Sequence, residues 1–245
     1  MRFILLLRSL FFAVLVTMLT IVWAFVCMLV APLPYNKRYW VTARWNVIVI
    51  WLGKVLCGMK YRVIGAENLP DEPVILLSKH QSAWETIFYL MYMPRPLVFV
   101  FKKELHYIPF FGWGLALLRM IPIDRSKGKD AFAQVVVQGK RRLAGGQWII
   151  MFPEGTRIPV GQKGYYKGGG ARLAVETQTT IVPIAINSGD CWPKNLFIKQ
   201  PGLITISIGK PISVQGREAN DLIKEVETWI ESEMRIISPQ NYRHD

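Results

Sequence analysis

Two polar side chains in LLSKHQSAWE, residues 76–85, have the chemical types and the spacing of a proton-transfer pair. His80 follows an apolar run, and the carboxylate of Glu85 comes five positions later. If His80 lies in a turn and Glu85 in the first turn of a helix, the carboxylate can accept a hydrogen bond from one ring nitrogen and leave the other basic. Such an imidazole can take a proton from an alcohol near neutral pH. A purely structural histidine–carboxylate pair explains this spacing equally well.

A second polar stretch, FPEGTR at 152–157, follows another apolar run. Pro153 and Gly155 favour a turn, which presents Glu154, Thr156 and Arg157 from a loop. A guanidinium can bind a phosphate through two parallel hydrogen bonds, so Arg157 is a candidate phosphate ligand. The alternative is a surface turn that carries an exposed ion pair.

Further cations lie among aromatic and aliphatic residues between positions 101 and 130. They are Lys102, Lys103, Arg119, Arg125, Lys127 and Lys129. One or two of them can add phosphate contacts, while the rest form a solvated or lipid-facing edge. The glycines of YYKGGGARLA, residues 165–174, match neither the P-loop nor the dinucleotide fingerprint, so we expect no nucleotide cofactor. The three widely spaced cysteines predict neither a metal site nor a disulfide framework.

These stretches lie in a part of the chain where short apolar runs alternate with helical patterns. We predict strands at 61–65, 74–78, 97–101, 148–152, 180–186 and 203–209, and helices near 83–92, 129–144, 169–178 and 217–235. This alternation indicates an α/β fold, a layered, mostly parallel or mixed sheet covered by helices on both faces. Sites in such sheets lie at the carboxyl ends of strands, where His80 and FPEGTR both fall.

The first 58 residues have a different composition. Residues 9–35 carry no charge, and the apolar part at 9–31 forms a helix of about 35 Å at about 1.5 Å per residue, against about 30 Å of bilayer hydrocarbon. We predict a retained membrane anchor rather than a cleaved signal peptide, because the run is longer than a signal peptide requires. The segment at 36–60 mixes cations with tryptophans, as a helix in the headgroup region does, although an ordinary core helix is the alternative. We therefore expect membrane-anchoring helices at 1–58, spanning the bilayer or lying in one leaflet, and an α/β domain at 59–245.

The overall charge narrows the classes of partner. The chain of 245 residues has a formal net charge of +13, which favours an anionic partner. Hydrophobic residues make up 51% of the chain and nine residues are tryptophan, a composition that suits a lipid–water boundary. This apolar content and the predicted anchor argue against a nucleic-acid partner.

Four stretches occur in a characteristic order. They are His80 with Glu85, GWGLALLRMIPIDR ending at Arg125, FPEGTR, and the apolar IVPIAI with Pro183. Together they closely resemble the glycerolipid acyltransferases, in particular the bacterial 1-acylglycerol-3-phosphate acyltransferases, from about residue 60 to 210. One position departs from the family, because Glu85 stands where an aspartate is usual and is one methylene longer.

The resemblance implies transfer of a fatty acyl group from a thioester of coenzyme A or acyl carrier protein to the sn-2 hydroxyl of lysophosphatidic acid, giving phosphatidic acid. His80 would be the general base, and Glu85 would orient it. The acceptor phosphate would bind Lys103, Arg125 and Arg157, while Glu154 would contact a hydroxyl or position the loop that Gly155 and Thr156 shape. The resemblance implies no metal and no cofactor, since the thioester is already activated. The distribution of charge favours the cytoplasmic face of the inner membrane, where acyl thioesters are available.

Two alternatives stay open beside this expectation. One is an acyltransferase that uses a different lyso-lipid acceptor. The other is a non-catalytic membrane module that binds anionic lipid or protein through its cations. A module of that kind needs the lysines and arginines but has no use for His80 and Glu85.

Overall fold

The computed structural model describes residues 2–124, 126 and 128–242. Two long helices, α1 (Arg2–Val30) and α2 (Tyr35–Cys57), precede the α/β part. The strands are β1 (Met59–Ile64), β2 (Ile75–Ser78), β3 (Leu97–Lys102), β4 (Ile121–Ile123), β5 (Trp148–Met151), β6 (Ile181–Ile186) and β7 (Gly202–Ile208). The remaining helices are α3 (Trp84–Tyr92), α4 (Phe111–Leu117), α5 (Gly128–Ala144), α6 (Gly169–Thr177) and α7 (Ala219–Ile237).

Every strand and helix predicted within residues 59–245 is present, with ends that differ by at most two residues. The first N-terminal helix is longer than predicted, because it begins at Arg2 and not at Ser9, and the second ends at Cys57, three residues before the predicted end. Two short elements between β3 and α5 were not predicted. The strand β4 has only three residues, IPI, and gains its backbone partners from β3. The helix α4, FGWGLAL, contains two glycines, which are poor helix formers and hide its helical pattern.

The seven strands form one mixed sheet in the order β1-β7-β6-β2-β5-β3-β4. The strands from β6 to β4 are parallel, whereas β7 runs antiparallel to β6 and pairs in parallel with β1. Every residue of β2 and β6 is buried, as expected for central strands that are covered on both faces. The predicted α/β class with a mixed sheet and helical layers is confirmed.

The crossover connections that start from β2 and from β5 lead towards opposite edges of the sheet. The crossover through α3 leads from β2 past β5 to β3, whereas the crossover through α6 leads from β5 past β2 to β6. Because such crossovers are right-handed, α3 and α6 lie on opposite faces of the sheet. Ligands bind outside the carboxyl ends of the strands at such a switch point, between β2 and β5 in this sheet.

The C-terminal helix α7 covers β6 and β7 on one face of the sheet. Its apolar residues recur with helical spacing and are buried, including Leu222, Val226, Ile230 and Met234. One charged residue, Glu231, lies in this buried face and is only 7% exposed. The helix therefore carries a carboxylate into the protein interior.

The helices α1 and α2 pack against each other as a pair. Trp23 on α1 donates to the carbonyl of Thr42 at 3.2 Å, and Trp45 on α2 donates to Thr20 Oγ1 at 3.2 Å. Both helices are long and apolar enough to cross a membrane by length and composition. Within the apolar 18-residue stretch of α1 only 11% of the residues are buried, so most of this stretch lies on the surface of the protein.

Candidate active site

The loops that follow β2 and β5 meet at the switch point. The backbone amide of Ile158 donates to the carbonyl of His80 at 2.7 Å. Gly155 has φ +67°, a left-handed conformation that favours glycine and turns the FPEGTR loop back towards β2. The two stretches that the sequence singled out are therefore in direct contact.

His80 and Glu85 form the predicted pair. His80 lies in the turn after β2, and Glu85 lies in the first turn of α3. The distance from His80 Nδ1 to Glu85 Oε1 is 2.8 Å. Since Glu85 occupies Nδ1, the imidazole keeps Nε2 as its second nitrogen for proton transfer.

Glu85 is fully buried and is held by several donors. Its Oε1 also accepts the backbone amides of Gln81 and Ser82, each at 2.7 Å. Its Oε2 accepts the hydroxyl of Ser188, which follows β6, at 2.5 Å. Hydrogen bonds to both oxygens satisfy a buried carboxylate, so Glu85 has a fixed position from which to orient the imidazole.

The His80 ring lies at the boundary between this packed interior and a cavity. It stacks on Phe152 with 3.9 Å between ring centroids, and 13% of its side chain is exposed. The ring is therefore restrained on one face and at Nδ1 and still lines the cavity.

The cavity has a volume of about 970 Å³ and extends from His80 to the helix pair. Most of its walls are apolar, and they include Trp23, Leu90, Phe99, Leu118 and Val135. Its size lies at the upper end of the range of about 300–1,000 Å³ for small-molecule sites. The cavity thus has room for a long apolar ligand beside the His80 imidazole.

Four basic side chains of the described residues line this cavity. Lys102 Nζ lies 3.8 Å from Glu104 Oε1, and we call the other three, Arg157, Lys167 and Arg172, the cavity cations. Within the described part of the chain, none of them forms an ion pair with a carboxylate. The ammonium of Lys167 lies 3.1 Å from the position that a Cβ on Gly155 would occupy. The glycine therefore leaves room for this lysine beside the FPEGTR turn, and the three positive charges are available to an anion.

The other predicted phosphate ligands have different positions. Lys103 Nζ lies 2.5 Å from Asp124 Oδ2. This pair raises the pKa of Lys103 and lowers the pKa of Asp124 to about 2. Lys103 is not among the described residues that line the cavity, whereas its neighbour Lys102 is. Arg125 lies outside the described residues.

The three other predicted loop residues also differ in placement. Thr156 is exposed, and Gly155 lines the cavity. The side chain of Glu154 is fully buried, its Oε2 accepts the backbone amide of His80 at 2.9 Å, and its Oε1 lies 2.7 Å from Lys79 Nζ. The structure thus brings Glu154 to His80 from the protein interior and Arg157 to the cavity.

Several residues of this region were not predicted to contribute. Lys167 and Arg172 lie in the glycine-rich stretch, which matched no known phosphate loop, and Ser188 follows the IVPIAI strand, from which no site residue was predicted. Ser188 meets Glu85 because β2 and β6 are neighbours in the sheet. Lys167 comes near the FPEGTR loop because its backbone amide donates to the carbonyl of Pro153 at 2.9 Å.

The fold and the site together define an α/β protein with a histidine–carboxylate pair at the end of a large apolar cavity with a basic lining. The model of the acyltransferase family matches residues 60–187. A 1-acyl-sn-glycerol-3-phosphate acyltransferase from Pseudomonas aeruginosa is 44% identical, over 96% of this chain and 93% of its own length. One from Saccharomyces cerevisiae is 31% identical, over 72% of this chain and 58% of its own length. The chain therefore belongs to the acyltransferase family, as the four motifs predicted, and is an enzyme.

A solved structure supports the fold separately. The crystal structure of the 1-acyl-sn-glycerophosphate acyltransferase from Thermotoga maritima matches with a TM-score of 0.80. The match covers 94% of this chain and 95% of that chain, at 23% sequence identity. The shared fold includes the N-terminal helices, because the match extends over almost the whole chain.

Proposed function

We propose that this enzyme transfers a fatty acyl group from an acyl thioester to the sn-2 hydroxyl of lysophosphatidic acid, forming phosphatidic acid. The observation that carries the proposal is the His80–Glu85 pair, in which His80 Nδ1 lies 2.8 Å from Glu85 Oε1 and the imidazole lines a cavity that combines apolar walls with the cavity cations. Lysophosphatidic acid has an apolar acyl chain and an anionic phosphate, so its binding site needs both apolar walls and cations. The relatives named for this activity support the same substrate.

His80 acts as the general base in this mechanism. Its Nε2 takes the proton of the sn-2 hydroxyl while the oxygen attacks the thioester carbonyl. The new C–O ester bond forms, the C–S bond breaks, and the proton passes from the imidazole to the departing sulfur to give a free thiol. Glu85 keeps Nδ1 protonated and stabilises the imidazolium that exists between the two proton transfers.

The cavity cations hold the acceptor phosphate in this proposal. Charge-assisted hydrogen bonds from Arg157, Lys167 and Arg172 would bind the phosphate, which anchors the glycerol hydroxyl near His80. The apolar walls take the acyl chains. The donor is a thioester of coenzyme A or of acyl carrier protein, and the reaction uses no metal and no further cofactor because the thioester is already activated.

We further propose that residues 1–58 hold the α/β domain at 59–245 on the cytoplasmic face of the inner membrane, where acyl thioesters are available. Large apolar side chains are exposed along α1, including Phe3, Phe11, Val22 and Leu29. The packing of α1 on α2, and the contribution of both helices to the cavity, support a retained anchor over a cleaved signal peptide. The exposed Arg44 in the middle of α2 favours a helix in the headgroup region, since a charge is costly in the hydrocarbon core.

The test compares purified wild type with His80→Ala in detergent. Each is given lysophosphatidic acid with either acyl thioester, and phosphatidic acid and free thiol are measured together. We expect equal amounts of both products with wild type and a kcat about 10²–10⁴-fold lower with His80→Ala, at unchanged thermal stability. Acylation of other lyso-lipids alone would replace the proposed acceptor, and lipid binding without any transfer would favour the non-catalytic module. Activity that is unaffected by His80→Ala would rule out the general base.

A further inference from the structure

Lys79 precedes His80 and is completely buried, which is unusual for a lysine. Its ammonium lies 2.7 Å from Glu154 Oε1 and 2.7 Å from Glu231 Oε1, and it donates to the carbonyl of Gln162 at 3.3 Å. We call Lys79, Glu154 and Glu231 the buried ion triad. It joins the turn after β2, the FPEGTR loop and the C-terminal helix α7.

Glu154 links the buried ion triad to the catalytic turn. One of its oxygens lies on the Lys79 ammonium and the other accepts the backbone amide of His80. Burial raises the pKa of this carboxyl, and the ion pair with Lys79 acts in the opposite direction. Because both oxygens are engaged and the side chain is fully buried, Glu154 has no free atom for a substrate.

Glu231 fixes the far side of the triad. Its Oε1 accepts the hydroxyl of Tyr166 at 2.7 Å as well as the Lys79 ammonium. Burial, together with the neighbouring carboxylates, raises the pKa of Tyr166, so its phenol stays a hydrogen-bond donor. The helix α7 thus supplies a carboxylate that holds Lys79 in place from more than 150 positions along the chain.

We propose that the buried ion triad consists of positioning residues for His80, with Glu154 acting on the backbone amide of His80 rather than on the substrate. This inference rests on the proposed role of His80 as the general base. Removing three ionic groups from water costs free energy that their mutual attraction offsets only when the geometry is good. In return, the triad fixes the peptide that carries His80, while Glu85 fixes the ring.

Glu154→Gln tests the link directly. Two donors meet Glu154, the Lys79 ammonium and the His80 amide, but glutamine offers only one acceptor oxygen. We expect kcat to fall about 10- to 100-fold, as for loss of one charged hydrogen bond, with the KM for lysophosphatidic acid within about twofold of wild type. Hydrogen exchange at the peptide that contains His80 should become faster.

Glu231 provides a second test with its own conservative variant. Glu231→Gln keeps an oxygen for both Lys79 and Tyr166, so we expect slow exchange at the His80 peptide and near-normal kcat. Glu231→Leu keeps neither contact, so we expect faster exchange and a lower kcat. The matched control is Glu227→Leu, one turn earlier on α7, where the carboxylate pairs at 2.6 Å with the exposed Lys163 and both readouts should be unchanged.

Three results would overturn the proposal. One is a higher KM with unchanged kcat in Glu154→Gln, which would make Glu154 a substrate contact. The second is unchanged exchange at the His80 peptide in both Glu154→Gln and Glu231→Leu. The third is equal effects of Glu231→Leu and Glu231→Gln, which would exclude a hydrogen-bonding role. If Glu154→Gln does not fold, the comparison of Glu231→Gln with Glu231→Leu tests the proposal. If wild type transfers no acyl group, the hydrogen-exchange data still test whether the triad holds the His80 peptide in place.

Discussion

The charged groups on the two sides of His80 differ in whether they form ion pairs. In the interior, the buried ion triad places Lys79 between two carboxylates at 2.7 Å each, and the neighbouring Glu85 accepts bonds at both oxygens. In the cavity, Arg157, Lys167 and Arg172 form no ion pair within the described residues.

This difference separates two tasks within one site. Fully paired groups in a dry interior hold one geometry, because an unpaired buried charge is costly. Cations that form no ion pair in an open cavity can bind a charged ligand without first breaking an ion pair. Substitutions on the interior side should therefore affect kcat, and substitutions on the cavity side should affect KM.

The largest expected effect is on the interior side, at Glu85. In Glu85→Gln, one amide oxygen replaces the oxygens that accept His80 Nδ1, two backbone amides and Ser188, and the imidazole loses its preferred tautomer. We expect kcat to fall about 10²–10⁴-fold, with a smaller change in the KM for lysophosphatidic acid. Steady-state kinetics check this, with Glu67→Gln, an exposed glutamate, as the control. A rise in KM without loss of kcat would contradict the expectation that substitutions on the interior side affect kcat.

A smaller effect is expected on the cavity side, where two lysines can be compared. Lys167→Met removes a cavity cation, so the KM for lysophosphatidic acid should rise about 10- to 100-fold with little change in kcat. Lys103→Met removes an ammonium that Asp124 already binds, so its KM should stay within about twofold of wild type. The opposite order, measured with the same acceptor, would restore Lys103 as the phosphate ligand and remove Lys167 from that role.

Ser188→Ala should chiefly affect stability. The substitution takes away the donor to Glu85 Oε2, and a hydrogen bond to a charged group is worth about 1.5–3 kcal/mol. We expect the free energy of unfolding in urea to fall by about that amount. Ser126→Ala is the matched control, because its hydroxyl also donates to a carboxylate, Asp124 Oδ1 at 2.6 Å, but is exposed. Equal losses in the two variants would contradict the distinction between buried and exposed carboxylates.

The smallest effect concerns the pH dependence of the Lys103–Asp124 pair. The hydrogen bond from Lys103, with those from Ser126, lowers the pKa of Asp124 to about 2, below its unfolded value of about 3.9. Its contribution to stability is therefore fully present above the unfolded pKa and is lost as the pH falls through about 2. An NMR titration of the Asp124 carboxyl should show this low pKa in wild type and a higher one in Lys103→Met. An unchanged titration would mean that Lys103 does not pair with Asp124 in solution.

Much of the fold and of the site could be predicted from the sequence where the contacts join residues close together in the chain. Apolar runs predicted the central strands, because strands covered on both faces need apolar side chains throughout. The five-residue spacing of His80 and Glu85 was sufficient because a turn followed by one helical turn brings them together. The glycine and proline of FPEGTR predicted its turn, since only a few backbone conformations suit them.

Only the tertiary structure decided which distant side chains meet. Ser188 is 103 positions from Glu85, and Glu231 is 152 positions from Lys79. Lys103 carried the same charge as Lys167 in the sequence, yet the fold pairs Lys103 with Asp124 and places Lys167 beside Gly155. The sequence by itself determined the longer strands and helices and the types of chemical group at their ends, whereas the short β4 and α4 depend on their tertiary contacts. The strand order decided which of those groups became neighbours, because a contact between remote segments depends on the sheet that joins them and not on spacing along the chain.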